Sequence, residues 1–470
     1  MLALALEEIA HTVGGLLHDV PDPGVRVTGS VVIDSRGVDA GGMFAAHLGE
    51  HVDGHDFAAA AIEAGAVAVL GSRPVGVPAI VVEDVVEALG MLARTVVARL
   101  DGITTIGLTG SSGKTTTKDL IAQVLDGFGT TVATSRSFNN EIGLPLTALR
   151  ADEHTRFLVL EMGARGRGHL SYLTRLTPPS VGLVLNVGAA HAGEFGSREA
   201  TAQAKGELVE ALPRGADGGV AVLNLDDELV AAMASRTDAD VVWFGRTARA
   251  DIHAADVRLN DAGQARFHLR TPVGSAPVAL QLFGEHQVSN SLAATAVAYS
   301  LGMDTEAIAE ALRRARPVSR ARMEVTRRDD GVTVVNDAFN ANPDSVRAAL
   351  TTLTAMTARR RIAVLGEMAE LGDDALNAHE EVGRLAGRLN VTRLIAIGGE
   401  HAAAILAGAV AEHPGLDAEL VPDKDTAEEL LRRDLRSGDV VLVKASKSAG
   451  LQALGARLAE PLPAAEQSAT

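Results

Sequence analysis

The sequence predicts an α/β protein with mostly parallel sheets, folded as three domains. Short apolar runs alternate with helix-period segments almost throughout, the pattern of strands joined by crossover helices. The 470 residues exceed what one core organises, and about 150 residues per domain gives about three domains. A Gly/Ser loop near residue 110 stands between a strand pattern and a helix pattern, the junction typical of an open parallel sheet.

In chain order, residues 31–33, 66–70 and 79–82 read as strands, with helices near 55–64 and 83–99. A first domain, 1–101, closes at Asp101-Gly102. The second set of strand runs is Ile103–Leu108, Phe157–Glu161, Val181–Val187, Val220–Asn224 and Val241–Phe244. Residues 251–283 alternate in short segments with turn residues between them and predict a meander or edge hairpin. A helix with Asn290 near its start follows. Arg313–Arg322, containing Pro317, reads as a linker that ends the second domain at 317 and begins the third, 318–470. There the strand runs are 332–336, 361–366, 393–398 and 440–444, and the tail after Pro461 reads as disordered.

Composition narrows the function. At 47% hydrophobic and 22% charged the chain is ordinary for a globular protein, and 3% aromatics leaves the cores to Ala, Val, Leu and Ile. The net charge of −17 opposes binding to nucleic acid or anionic lipid. With no cysteine there are no disulfides, thiolate metal sites or thiol nucleophiles. The start, MLALALEEIAHTVGG, lacks a basic n-region, and no window offers 18 uncharged apolar residues. A cytoplasmic, monomeric protein without membrane insertion is expected.

Gly110-Ser111-Ser112-Gly113-Lys114-Thr115-Thr116 carries the chemistry. Between a strand and the helical pattern Thr117–Leu125, its backbone N–H groups and a helix N-terminus converge on one spot, which suits phosphates. Lys114 supplies a charge to the outer phosphates and the Thr115 hydroxyl a Mg²⁺ ligand, so ATP and Mg²⁺ are the expected cofactors. Leu108 stands where the general motif has Gly, which makes this a variant loop. Glu161 closes one strand run, and His191 follows another in NVGAAHAGEFGS. Ligands of open α/β sheets sit at such strand ends, and both residues can complete a metal shell. Lys205, on an Ala-rich helix, reads from the residues alone as a solvated lysine. Asn139, Asn140 and Asn290 read as caps or turn residues, Arg322 as a linker charge, and Asp337 as a turn cap.

Together these strings resemble the Mur ligase family of ATP-dependent amide ligases. The resemblance runs through Asp34-Ser35-Arg36, Gly41-Gly42-Met43-Phe44 and Asp53-Gly54-His55-Asp56-Phe57 to TGSSGKTTT, FNNEIGLPLT, EMG, NVGAAHAGEFGS, AKGE and GEHQVSN. It continues through DAFNANPDS (337–345) and GEMAELG (366–372). FNNEIG with DAFNANPDS is similar to the branch that adds D-alanyl-D-alanine to UDP-N-acetylmuramoyl-tripeptide. Departures are Ala45-Ala46-His47-Leu48, and Lys444-Ala445-Ser446-Lys447 where the family reads Lys-Gly-Ser-Arg.

The resemblance implies a uridine-binding first domain, an ATP-binding second domain and a Rossmann-like third domain that closes over the site. It also implies an acyl-phosphate intermediate. Catalytic roles fall on Lys114, His191 and Lys205. Thr115 and Glu161 would hold one Mg²⁺, and His191 with a carbamylated Lys205 a second. Asn290, Arg322 and Asp337 would contact ATP; Ser35, Arg36, Asn139 and Asn140 would contact the UDP-linked substrate. Residues 313–322 become a hinge. The alternatives are another Mur-type ligase adding a single amino acid, a folylpolyglutamate synthetase-like enzyme, or a P-loop ATPase switch. In GEMAELG, Glu367 and Glu370 read as a polar loop after a strand.

Overall fold

The computed structural model describes residues 1–49, 51–135, 137–188 and 196–460. His191, much of its NVGAAHAGEFGS string and the tail from 461 onward lie outside the described residues. Besides a two-stranded pair of Leu4–Ala5 and Arg26–Val27, three sheets of five, nine and six strands follow one another along the chain, with helices packed on them.

The five-stranded sheet runs Leu16–His18, Ala79–Val81, Ala68–Gly71, Met43–Ala46 and Val31–Val32, parallel except for the first. Met43–Ala46 lies inside this sheet although the sequence showed it only as a motif. Its four residues are all buried. Helix Val85–Ala98 follows, capped by Asp84, whose carboxylate accepts the N–H groups of Val86 and Glu87. Its Leu89, Leu92 and Val96 share one core with Leu144, Leu170 and Leu173, which anchors the first sheet to the second unit.

The nine-stranded sheet explains where a ligand can sit. Its parallel part runs Thr131–Ala133, Phe157–Glu161, Thr104–Thr109, Val181–Val184, Val220–Asn224 and Asp240–Gly245. The chain leaves Thr104–Thr109 for the strands on one side and returns to Val181–Val184 on the other. That reversal opens a crevice at the carboxyl ends of the strands. Phe157–Glu161 is buried along its whole length, as a strand covered on both faces must be. The expected meander is the antiparallel trio Ile252–Leu259, Gln264–Thr271 and Gly274–Phe283, whose middle strand alternates buried and exposed residues.

The six-stranded sheet runs Glu324–Arg327, Thr333–Asn336, Asp439–Lys444, Arg360–Leu365, Arg393–Ile397 and Asp417–Val421, with only the first strand antiparallel. Thr333–Asn336 and Asp439–Lys444 are neighbours, so Asp337 and Lys444 emerge side by side. Helix Pro343–Ala355 starts with Pro at its head and a capping box between Asn342 and Ser345. Helix Thr305–Arg314 enters the expected linker, and beyond it Ala321 and Met323 adopt positive φ angles of 53° and 50°. No helix among the described residues is long and apolar enough to cross a membrane.

Candidate active site

The phosphate loop turns at Gly113, with φ 79°, directly into helix Lys114–Asp126. A Cβ on Gly113 would lie 2.6 Å from Oδ1 of Asn290, and one on Gly110 would lie 2.8 Å from Cβ of Leu185. Both positions therefore require glycine. Leu108, where the general motif has Gly, lies fully buried within the strand, so the variant position belongs to the sheet.

Three adjacent strand ends meet this loop. Asn186, just past Val181–Val184, accepts the N–H groups of Ser111 and Ser112 on Oδ1 at 3.0 and 2.9 Å. Its Nδ2 returns a bond to the Ser112 carbonyl at 3.2 Å. Glu161, at the other neighbour's end, is 1% exposed. Its Oε1 accepts Nδ2 of Asn139 at 2.8 Å, while the buried Oε2 has no hydrogen-bond partner. A buried carboxylate oxygen left unsatisfied beside Thr115 and a phosphate loop is the donor chemistry a hard divalent cation takes. Lys114 Nζ donates to the Gly110 carbonyl at 2.6 Å, and burial pushes its ammonium below the usual lysine range against the pull of Glu161.

Lys205 is not solvated. It is 1% exposed on helix Arg198–Glu210, and burial, reinforced by the charge of Lys114, pushes its amine well below the ordinary lysine range. Among the described residues there is no cluster of three His, Asp or Glu able to hold a metal.

The third unit supplies the opposite wall of a cavity of about 440 Å³ lined by Lys114, Thr115, Asn139, Glu161, Asn290, Arg322, Asp337 and Lys444. Arg322 stacks over Phe339 at 4.2 Å and reaches Ser137 Oγ at 3.4 Å, so it is a wall of the cavity and not a free linker charge. Lys444, 2% exposed, donates to Asp337 Oδ2 at 2.6 Å and to the Asn340 carbonyl at 2.9 Å. The other oxygen of Asp337 accepts the Met323 N–H at 3.0 Å. Asn290 donates to Gln287 at 2.8 Å beneath the loop.

Two of the residues expected at the UDP-linked substrate have other tasks in the structure. Asn140 Oδ1 accepts the Gly143 N–H at 2.9 Å, a turn contact just ahead of the helix, and Asn139 donates to Glu161. Ser35 and Arg36 lie on the first sheet's surface, where Arg36 forks onto Asp34, outside this cavity.

Four neighbours escaped the sequence. Asn186 and His286 sit inside quoted strings, but their roles depend on tertiary partners. Asp344 comes so close that a Cβ on Gly188 would be 2.3 Å from its Oδ2. Glu370, read as part of a polar loop, brings its carboxylate into the field of Lys114 with φ 64°. That positive φ at a non-glycine residue has no local sequence signature.

Residues 27–96 match the profile of the Mur ligase family catalytic domain, 108–298 the Mur ligase middle domain, and 321–447 the Mur ligase glutamate ligase domain. The chain belongs to the Mur ligase family. It is 48% identical, over 97% of each chain, to the UDP-N-acetylmuramoyl-tripeptide–D-alanyl-D-alanine ligase of Mycobacterium tuberculosis. With the ligase of that name from Escherichia coli it shares 33%, over 96% of this chain and 97% of the other. Among solved structures, MurF from Acinetobacter baumannii superposes with a TM-score of 0.86 at 30% identity, covering 98% and 99% of the two chains. MurF from Thermotoga maritima in complex with ADP gives 0.78 at 28%, covering 92% and 97%.

Proposed function

We propose that this chain is the ATP-dependent ligase that joins D-alanyl-D-alanine to UDP-N-acetylmuramoyl-tripeptide in cell-wall precursor synthesis. The observation that carries the reading is the cavity in which a phosphate loop faces Arg322, Asp337 and Lys444 across a domain boundary. The near full-length similarity to ligases of that name supports the choice of substrates.

A carboxylate is a poor electrophile, so the tripeptide's terminal carboxylate first takes the γ-phosphoryl group of ATP, whose bond to the β-phosphate oxygen breaks to release ADP. The dipeptide amine then attacks the acyl carbon; a C–N bond forms, the amine gives up a proton, the C–O bond to phosphate breaks, and phosphate leaves. Two anions must be brought together, so positioning and charge neutralisation dominate. The loop 110–116 and Lys114 cradle the phosphates, and Arg322 approaches from the third unit. Asp337, steadied by Lys444, and Asn290 orient the nucleotide. Ser35 and Arg36 serve the uridine end, and Asn139 and Asn140 shape the floor toward the UDP-linked substrate.

Thr115 and the free oxygen of Glu161 fit a magnesium ion, which when bound neutralises charge between the outer phosphates. By the family resemblance, His191 and Lys205 would hold a second ion. The burial-driven neutral form of Lys205 is the one that reacts with CO₂, giving a carbamate and a proton, and a carbamate is an oxygen donor where an ammonium is a repulsive charge. Both walls of the cavity come from one chain, in keeping with a monomer acting in the cytoplasm, and residues 313–322 serve as the hinge between the units 102–317 and 318–470.

Phosphate release with ATP, Mg²⁺ and UDP-N-acetylmuramoyl-tripeptide tests the reading. D-alanyl-D-alanine should stimulate release and single amino acids should not. Stimulation by a single amino acid, or release that ignores every amine, would sink it.

A further inference from the structure

Lys118 lies one turn beyond Lys114 on the phosphate-loop helix and takes no part in the mechanism above. It is 3% exposed, and its neighbour Asp119 is 8% exposed. A buried ion pair of this kind is often no more stabilising than an apolar pair of the same volume, so stability alone is a weak reason for it. Its bonds suggest another reason. The Lys118 ammonium donates to the Thr134 carbonyl at 2.8 Å and pairs with the Asp119 carboxylate. Thr134, itself 2% exposed, accepts the backbone N–H of Glu161 on Oγ1 at 3.0 Å and donates its own N–H to the Val159 carbonyl at 3.0 Å. Five residues on, Asn139 donates to Oε1 of Glu161.

Glu161 is thus held at its backbone by Thr134 and at its side chain by Asn139. Lys118 is the link that fixes Thr134 to the helix carrying Lys114 and Thr115. We propose that Lys118 is a positioning residue for the divalent cation: it sets the distance between the Glu161 carboxylate and the phosphate loop by pinning Thr134. The inference rests on the reading of Glu161 as a cation-holding carboxylate. Outer partners that orient a metal ligand typically change metal affinity about 10–100-fold when removed.

Calorimetric titration of ADP into the full chain, with and without Mg²⁺, separates the two claims. In the wild type Mg²⁺ should strengthen ADP binding, and Glu161→Gln should abolish that gain. A gain absent from the wild type, or surviving in Glu161→Gln, overturns the reading of Glu161 and this inference with it. If both references hold, Lys118→Met/Asp119→Leu, which replaces the pair by apolar residues, should bind metal-free ADP as the wild type does. Its Mg²⁺-dependent gain should fall about tenfold. A full gain in that variant leaves Lys118 a purely structural residue and overturns the inference. Should the double variant fail to fold, Thr134→Val keeps the shape and removes the hydroxyl that accepts the Glu161 N–H and donates to the Val159 carbonyl. The same loss is expected there, and an undiminished gain overturns the inference.

Discussion

Gly113→Ala should damage the protein in two separable ways. The native φ of 79° lies in the left-handed region, which costs an L-residue about 1–2 kcal/mol. The new methyl would also fall 2.6 Å from Oδ1 of Asn290, well inside van der Waals contact. Forcing one extra carbon into such a packed spot costs about 1–3 kcal/mol. The sum centres on about 3.5 kcal/mol, or about 7–14 °C in the unfolding transition of a domain of this size. Asn290→Ala alone removes its bond to Gln287 and should cost about 1 kcal/mol. In the double variant the clash is gone while the backbone strain stays. The two substitutions should therefore couple favourably by about 1–3 kcal/mol. Differential scanning calorimetry of the four proteins reads this directly. Additivity within about 0.5 kcal/mol would refute the packing of Asn290 against the loop, whatever the single variants do.

Three further outcomes follow from the buried charges. Burial pushes His286 down to about 4 from the ordinary 6.5, so its contribution to stability is complete above pH 6.5 and is lost as pH falls toward 4. His286→Gln should flatten that acid-side loss, about 2–3 kcal/mol, in urea unfolding at pH 4.5 and 7; equal slopes for variant and wild type would exclude it. Lys444→Met strands the Asp337 carboxylate and the Asn340 carbonyl and should cost about 3–5 kcal/mol, most of it regained in Lys444→Met/Asp337→Leu. A urea-midpoint loss below about 1 kcal/mol would contradict the buried pair. In carbonate-free buffer Lys205→Met should raise the melting temperature near pH 7. Folding of the wild type expels a proton between the lowered pKa and 10.5, so wild-type stability climbs with pH and the variant's advantage shrinks. An advantage that does not change with pH would rule out the buried neutral amine.

Legibility followed locality. Strands that are unbroken apolar runs, such as Phe157–Glu161 and Val220–Asn224, match their sequence spans because period and length suffice. Met43–Ala46 was hidden by its alanines and flanking glycines. Thr131–Ala133 is three residues long, and Asp417–Val421 is a mostly exposed edge strand without a clear alternation. The phosphate loop was readable because its geometry is written in its own glycines. Lys205 was misread from the residues alone as solvated, since an Ala-rich helix gives no periodic signal for the face that docks. Asn186, Lys118 and Asp344 work through partners 16 or more residues away in sequence, and no local pattern announces such contacts.

The overall charge of −17 and the interior of this cavity point in opposite directions, and the contrast has a physical consequence. Lys114, Arg322 and Lys444, which line it, are all pushed below their ordinary pKa ranges, with burial the leading cause in each. Among the described residues, only Lys444 of these three has a close carboxylate partner, Asp337, while Glu161 acts on Lys114 and Arg322 from further off. Unpaired buried cations are costly, so a fold that retains them stays under-neutralised until an anion arrives. A polyphosphate supplies that missing charge, and it does so at the seam between two units that meet through contacts as long as the 3.4 Å bond from Arg322 to Ser137. On the proposed function, nucleotide binding and closure of the third unit onto the second would be one thermodynamic event: the ligand would stabilise the closed arrangement by the same interactions that relieve the repulsion within it.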